Sequence, residues 1–487
     1  MNILQNLEPK NVFKYFEEIS QIPRGSGNEK GISDYLVSVA KKLKLEVIQD
    51  KALNVIIKKP GTKGYENSET VIIQGHMDMV CEKNKGINHN FEKDPLKLRV
   101  IDDMIYATDT TLGADNGIAV AYALAILDST DIPHPPLEIL ITTDEETGMT
   151  GAMNVSKEHI NGKILLNLDN EEEGNLLVSC AGGVRSKYTL NVNLENVSEY
   201  NDFLHIAIRG LKGGHSGMEI NKERGNSNKI MGRILKYLLS NVDFKLVTLN
   251  GGSKNNAIPR EADAIIAVKA IDIEKTKDLI NKWNPILLNE LKTQDSGINV
   301  SILEKTEDIK NIEKLFTKES TEKAVNLLYL IPNGINTNSV EIKDLVESST
   351  NLGVVTTIGN KIEFDSAIRS SIASLKDEIV LRSKTIAELI GAEFETTAGY
   401  PEWQYDSESK LRGICQGVHN RMYGKDAQIV AIHAGVECGL FNENLGKLDM
   451  ISFGPNLYDV HTPEEHMSIV SVKNVWDYLL EVLKELK

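Results

Sequence analysis

Cysteine is scarce in this chain. It has four, Cys81, Cys180, Cys415 and Cys438, and no two stand in a CxxC spacing. That excludes a zinc ribbon and a thioredoxin-type redox pair, and the scarcity fits a reducing compartment. Long apolar runs are missing too: nothing approaches the ~18 consecutive apolar residues that a membrane-spanning helix needs. The first twenty residues, MNILQNLEPKNVFKYFEEIS, are polar and acidic where a secretory signal would be apolar. A cytoplasmic location is expected. Positive charge is in deficit, with 54 Lys and Arg against 70 Asp and Glu, a net charge of −16. Such a surface repels phosphate backbones and anionic lipid, so no nucleic acid and no membrane is expected as a partner. Internal repeats and low-complexity segments are absent as well.

What is there is a normal globular composition, 41% hydrophobic and 25% charged over 487 residues. At ~150 residues per domain that length suggests about three domains or two large ones. TVIIQG (70–75), LEILIT (137–142) and KILLNL (163–168) are short apolar runs of the kind that buried parallel strands produce. Between the first two lies GADNGIAVAYALAILD (113–128), long and Ala-rich, which reads as a buried helix. This rhythm implies a parallel or mixed sheet with helices on both faces. From residue 187 the chain turns polar, and FLHIAIRG and ADAIIAVKA then alternate like half-buried strands. After residue 396 the first style returns in AQIVAIH and LDMISFG, and the last fifteen residues read as an amphipathic helix. The expected fold class is α/β. A mixed-sheet α/β domain, residues 1–186 and 396–487, is interrupted by an inserted α+β domain, residues 187–395.

Acidic and histidine residues collect at the ends of those strands, where open α/β sheets bind ligands. TVIIQG runs into His76 and Asp78, LEILITT into Glu145 and Glu146, and KILLNL into Asp169. LDMISFG is followed within ten residues by His461, and Asp115 stands on the Gly-flanked start of the 113–128 helix. Catalytic zinc takes His nitrogen and carboxylate oxygen and leaves a position open. Two dications ~4 Å apart need a bridging anion, and Asp115 is placed to be one. His76 and one carboxylate can hold one metal, and His461 with another carboxylate the second. The His76-x-Asp78 spacing suits a carboxylate that orients a metal-binding imidazole. Side chains alternate along a strand. If the strand continues through Glu145 and Glu146, one faces the metal and the other the attacking water, a ligand and a general base. Each motif alone is weak, since lone histidines usually pack or cap and paired glutamates usually face solvent. Their convergence in one domain points to a two-metal hydrolase.

In order, HMD, GADNG, TTDEETG, LNLDNEEEG, GGHSG and HTPEEH resemble the M20 metallopeptidases. HPPLEILITTDEETGMTGA, AGGVRSKYTL, GGSKNNAIPRE and HAGVECGLF resemble the aminoacyl-histidine dipeptidase branch of that family, and the likeness spans essentially the whole chain. The resemblance implies hydrolysis of dipeptides, Xaa-His dipeptides included, with two zinc ions per chain, or cobalt or manganese in their place. It assigns one zinc to His76 and Asp169, the other to Glu146 and His461, and the bridge to Asp115. Glu145 matches the general base and Asp78 the residue that orients His76. It implies a cis peptide at Asp115-Asn116. The inserted domain matches a lid that also forms a homodimer, with His215 reaching the neighbouring subunit's cleft to stabilise the oxyanion. Arg369, at the end of KIEFDSAIRSS, matches a guanidinium that holds the substrate's free carboxylate. Glu437 in HAGVECG is either a contact for the substrate's amino group or a buried structural carboxylate, and Asn256 in GGSKNNAIPRE is a further substrate contact. A tripeptide aminopeptidase, an N-acyl amino acid deacylase or a carboxypeptidase would share the metal ligands. A catalytically silent binding protein would lack the base, and Glu145 is present.

Overall fold

The computed structural model describes residues 3–303, 309 and 312–487. The chain forms two compact units. The first comprises Met1–Ser179, Trp403–Ala431 and Val436–Lys487, and the second Cys180–Glu402 and Ile432–Gly435.

The first unit is built on an eight-stranded mixed sheet. The strand Val71–His76 lies between Leu137–Thr142 and Ile164–Asn167, parallel to both, with Val71 opposite Leu137 and Ile164. Asp449–Ser452 continues the parallel set beside Ile164–Asn167, while Val55–Lys59 pairs antiparallel with Leu137–Thr142. Every residue of Val71–His76 and of Leu137–Thr142 is buried, which is why these strands are continuous apolar runs rather than alternating ones. The helix Ala114–Asp128 is buried from Ala114 to Leu127, so it carries apolar residues all round. It lies close on the sheet because small residues meet there: a Cβ on Gly75 would stand 2.5 Å from the Ala119 Cβ. Lys59 closes its C-terminus, donating from Nζ to the carbonyls of Ile126, Leu127 and Ser129 at 2.7, 3.2 and 2.6 Å. Parallel pairing brings His76, Thr142, Asn167 and Ser452 to one edge of the sheet, and the candidate site forms there. The chain's terminal helix, Ile469–Glu485, starts a few residues earlier than its amphipathic pattern suggests, because Ser468 caps it by accepting from the Ser471 N–H.

The second unit is built on a nine-stranded sheet whose neighbours, among them Asp202–Arg209, Ala262–Val268, Val346–Ile358, Lys361–Ser370 and Gly182–Asn191, run antiparallel. Its core joins strand residues such as Ile206, Ile208 and Phe364 to helix residues such as Ile234, Leu235 and Leu328. Here too a lysine closes a helix: Lys229 Nζ donates to the carbonyls of Leu328, Tyr329 and Ile331 at 2.7, 2.8 and 2.6 Å. The chain as a whole has the α/β class with a mixed sheet that its sequence pattern suggests. Among the described residues no helix is long and apolar enough to cross a membrane.

Candidate metal centre

His76 ends its strand with its ring buried, 1% exposed. Its Nδ1 lies 3.2 Å from Asp78 Oδ1. On the other side, Nε2 lies 3.2 Å from Asp115 Oδ1 and 3.4 Å from Asp169 Oδ1. Asp115 arrives on the first turn of the Ala114–Asp128 helix, where the backbone is not helical. Gly113 has φ 65°, Asp115 has ψ 106°, and the Asp115-Asn116 peptide is cis. The second oxygen of Asp115, Oδ2, is 3.2 Å from His461 Nε2, and that nitrogen is 3.1 and 3.0 Å from the two carboxylate oxygens of Glu146. The donors therefore run Asp169, His76, Asp115, His461, Glu146, with one carboxylate giving one oxygen to each imidazole.

The expectation about Glu145 and Glu146 needs correction in its reasoning. The strand stops at Thr142, and Asp144 adopts a left-handed φ of 58°. The two glutamates lie on a turn, so strand alternation does not separate them. Asp78 organises that turn: Oδ1 accepts the Glu145 N–H at 3.1 Å, Oδ2 the Glu146 N–H at 3.3 Å, and Ser26 Oγ donates to Oδ2 at 2.8 Å. One carboxylate thus positions both glutamates as well as His76.

The electrostatics are those of a carboxylate cluster held together by two imidazoles. Burial raises Glu145 well above the usual carboxylate range, and Asp169, Glu437 and Glu146 add to the rise. Burial lifts Asp169 to about 6 and Glu171 to about 7, with neighbouring carboxylates contributing to both. Burial would also raise Asp78 and Asp115. Hydrogen bonds and charge from His76 outweigh it at Asp78, leaving about 2, while His461 and His76 hold Asp115 well below the usual range. His461 is driven up to about 11 by Asp115 and Glu146. So many carboxylates around two rings call for positive charge, which either protonated imidazoles or cations supply. One ligand atom from each of His76, Asp115 and Glu146 lies within 4.8 Å of the others, a group that can hold a metal ion. Imidazole nitrogen with carboxylate oxygen is a donor set that zinc accepts.

Around this set the sequence pattern carries no sign of the side-chain roles of Asn116, Arg24 and Glu465, while Glu437 is among the expected residues. Asn116 Oδ1 accepts the His76 N–H at 3.2 Å and its Nδ2 donates to the Leu168 carbonyl at 2.9 Å. Arg24 and Glu465, both 2% exposed, bond to the backbone of the ligand-bearing turns. Glu437 is buried at 1%; its Oε2 accepts from Gln74 and Thr142 at 2.6 and 2.8 Å, and its Oε1 has no hydrogen-bond partner among the described residues. Burial pushes its carboxyl up to about 8.

His215, Asn256 and Arg369 belong to the second unit. His215 sits opposite Ala257 in a two-residue bridge. Its Nδ1 accepts the N–H groups of Gly217 and Met218 at 3.3 and 3.0 Å. Burial and the nearby Arg369 lower its pKa. Asn256 is exposed, and its carbonyl accepts from the Ser216 N–H at 2.9 Å. Arg369 is 9% exposed; Nη1 donates to the Tyr400 hydroxyl at 2.7 Å, while Nε has no hydrogen-bond partner among the described residues. His433, also missed, bonds Ser349 Oγ through Nε2 at 2.7 Å.

Residues 72–485 match the peptidase family M20/M25/M40. The chain is 39% identical over 486 residues to the cytosol non-specific dipeptidase of Escherichia coli strain K12, covering 100% of this chain and 99% of that protein. The crystal structure of aminoacylhistidine dipeptidase from Vibrio alginolyticus matches with a TM-score of 0.94 at 37% identity, over 99% of this chain and 98% of that one. The aminopeptidase PepT of Bacillus cereus ATCC 10987 shares the fold with a TM-score of 0.57 at 15% identity, over 99% of each chain. With a family match across most of its length and a relative this similar from end to end, the chain belongs to peptidase family M20/M25/M40.

Proposed function

We propose that this protein is a cytoplasmic two-metal dipeptidase that hydrolyses dipeptides of varied sequence, Xaa-His dipeptides among them. One observation carries the reading: the Asp115 carboxylate gives Oδ1 to His76 and Oδ2 to His461, as a bridge between two cations would. The dipeptidase names of the two relatives similar over their full length support the substrate class. His76 and Asp169 would hold one zinc, Glu146 and His461 the other, with Asp115 between them and cobalt or manganese as substitutes. Bound there, the cations supply Lewis acidity, polarising the peptide carbonyl and making water a stronger acid.

The chain's own groups do the rest. Glu145 takes the proton of the attacking water and passes it to the leaving amine, and its burial lifts its pKa toward the range where both transfers run. Asp78 accepts from His76 Nδ1, which leaves the Nε2 lone pair for a cation. Arg369 would hold the free carboxylate of the substrate, since its Nε is unpartnered among the described residues while one Nη rests on Tyr400. His215 accepts two N–H bonds at Nδ1, so its proton sits on Nε2, ready to donate to the oxyanion. That donation is assigned across a homodimer formed through the second unit. Asn256 would be a further contact in that site. For Glu437 the structural role is favoured, because Gln74 and Thr142 already engage one of its oxygens.

The test is the metal-loaded protein on free, N-blocked and C-amidated dipeptides, with a tripeptide and an N-acyl amino acid alongside. Free dipeptides should turn over fastest; a faster tripeptide or N-acyl substrate would replace this reading with that activity. Mixing Glu145→Ala and His215→Ala subunits tests the cross-dimer role. Activity should return as subunits exchange, and no return with exchange verified would place His215 outside the neighbouring site.

A further inference from the structure

We infer that Arg24 and Glu465 form a buried clasp that positions the ligand-bearing turns of the metal centre, so that metal affinity depends on both. The inference rests on the metal-site reading above. Arg24 Nη1 donates to the carbonyls of Met77 and Asp78 at 3.1 and 3.2 Å, the residues that follow His76. Its Nη2 donates to the carbonyl of Gly113, two positions before Asp115. Glu465 takes the other side of that turn. Its Oε2 accepts the N–H groups of Leu112 and Gly113 at 2.7 and 2.9 Å, and Oε1 accepts that of Ala114 at 2.8 Å. Gly113 is thus held at both ends, its N–H by a carboxylate and its carbonyl by a guanidinium.

The consequence is geometric. His76 and Asp115 are 39 residues apart, and the 3.2 Å between Nε2 and Oδ1 depends on how two backbone turns are placed. Arg24 bonds to both turns. Glu465, four positions after His461, ties the third ligand-bearing segment to the same turn. All three segments therefore share one anchor.

The chemistry of the pair supports positioning over mere filling. A buried charge is costly unless its hydrogen-bonding capacity is used, and here backbone groups take Nη1 and Nη2 of Arg24 and both oxygens of Glu465, while Arg24 Nε has no hydrogen-bond partner among the described residues. Because Nη1 and Nη2 are spent on carbonyls, the guanidinium leaves the ligand oxygens of Asp115 free for a cation while still offsetting the negative charge around them. The sequence also leaves room for it: a Cβ on Gly113 or on Gly117 would stand 2.6 Å from Arg24 Nη2.

Neither side chain touches the reacting atoms, so both are positioning residues. Three variants test them: Arg24→Lys, Glu465→Gln and Gly117→Ala. The readouts are zinc affinity by chelator competition, the visible absorption of the cobalt-loaded protein, which reports ligand geometry, and the melting of the metal-free protein. Groups that orient metal ligands typically change affinity by ~10- to 100-fold when altered. That weakening is expected in each variant, with a changed cobalt spectrum and a folded metal-free protein. Wild-type affinity and spectrum in folded Arg24→Lys and Glu465→Gln would overturn the clasp while leaving the metal centre standing. If those two fail to fold, Gly117→Ala decides. It keeps both charges and favours the helix, yet its methyl displaces the guanidinium, so unchanged affinity and spectrum there also overturn the clasp. A wild-type protein that binds no zinc would instead remove the metal-site reading and the clasp with it.

Discussion

In the first unit the carboxylates of Asp115 and Asp169 meet imidazoles, those of His76 and His461. In the second unit Asp365 meets a guanidinium instead, Arg185 Nε at 2.8 Å, and Asp263 meets the Arg209 guanidinium as well as the His205 imidazole, each at 2.8 Å. The difference is chemical. A guanidinium stays charged and offers only donors, so such a pair is permanent. An imidazole can give up its proton and present a lone pair, so a carboxylate–imidazole array can exchange its protons for cations. The contrast extends to the backbone. In the first unit Asp115, Glu145 and His461 sit on turns and His76 ends a strand, whereas Arg369 of the second unit projects from the regular strand Lys361–Ser370. The first unit gathers imidazole and carboxylate groups that can hold a metal ion, while in the second Arg185 and Arg209 hold carboxylates with fixed charge.

The most damaging way to break the first arrangement is Asp115→Ala. It removes the carboxylate shared by both rings, so metal analysis should find both ions lost and hydrolysis at background. A normally filled pair would end the bridging assignment. Glu145→Ala should be nearly as harmful to rate, at least ~10²- to 10⁴-fold for a lost general base, yet keep its metal. Metal loss in this variant would reverse the roles of Glu145 and Glu146.

The fixed charge of the second unit is probed more gently by Arg369→Ala. A hydrogen bond to a charged group contributes ~1.5–3 kcal/mol, so kcat/KM on free dipeptides should fall roughly 10- to 150-fold, with little change on C-amidated ones. Equal losses on both would count against a carboxylate contact. Smallest is a pH effect. The His433 imidazole is pushed down to about 3 by burial and then by Arg369, while an unfolded histidine titrates near ~6.5. Between those values the unfolded chain binds a proton that the folded chain refuses. Stability should therefore fall as pH drops below about 6.5, by up to ~1.4 kcal/mol per pH unit. Between pH 7 and pH 5, wild type should lose roughly 2 kcal/mol more stability to denaturation than His433→Gln does. Parallel losses would show that His433 is not the group responsible.

Much of this was readable from the chain alone, and for identifiable reasons. The strands at 71–76 and 137–142 declare themselves because burial on both faces demands unbroken apolar runs. The order of His76, Asp115, Glu146, Asp169 and His461 is visible because metal-type donors at strand ends are rare elsewhere in a core. Arg24 and Glu465 stayed hidden because their partners are backbone carbonyls and amides, which every residue has. The condition that the strand continues through Glu145 and Glu146 fails because the strand stops at Thr142 and Asp144 is left-handed, and nothing in TTDEETG excludes one more pleat.

Fold class and the set of donors follow from hydrophobic period and residue chemistry, which are local properties of the chain. Tertiary structure alone decided which groups meet. Gly183 pairs with Arg369 on one flanking strand and with Tyr400 on the other. Gly183 has no side chain, and a Cβ there would lie 2.5 Å from the Tyr400 ring, so the guanidinium and the hydroxyl join across it. That contact exists only once three strands have paired, because residues 183, 369 and 400 are far apart in sequence and strand pairing, not local pattern, makes them neighbours.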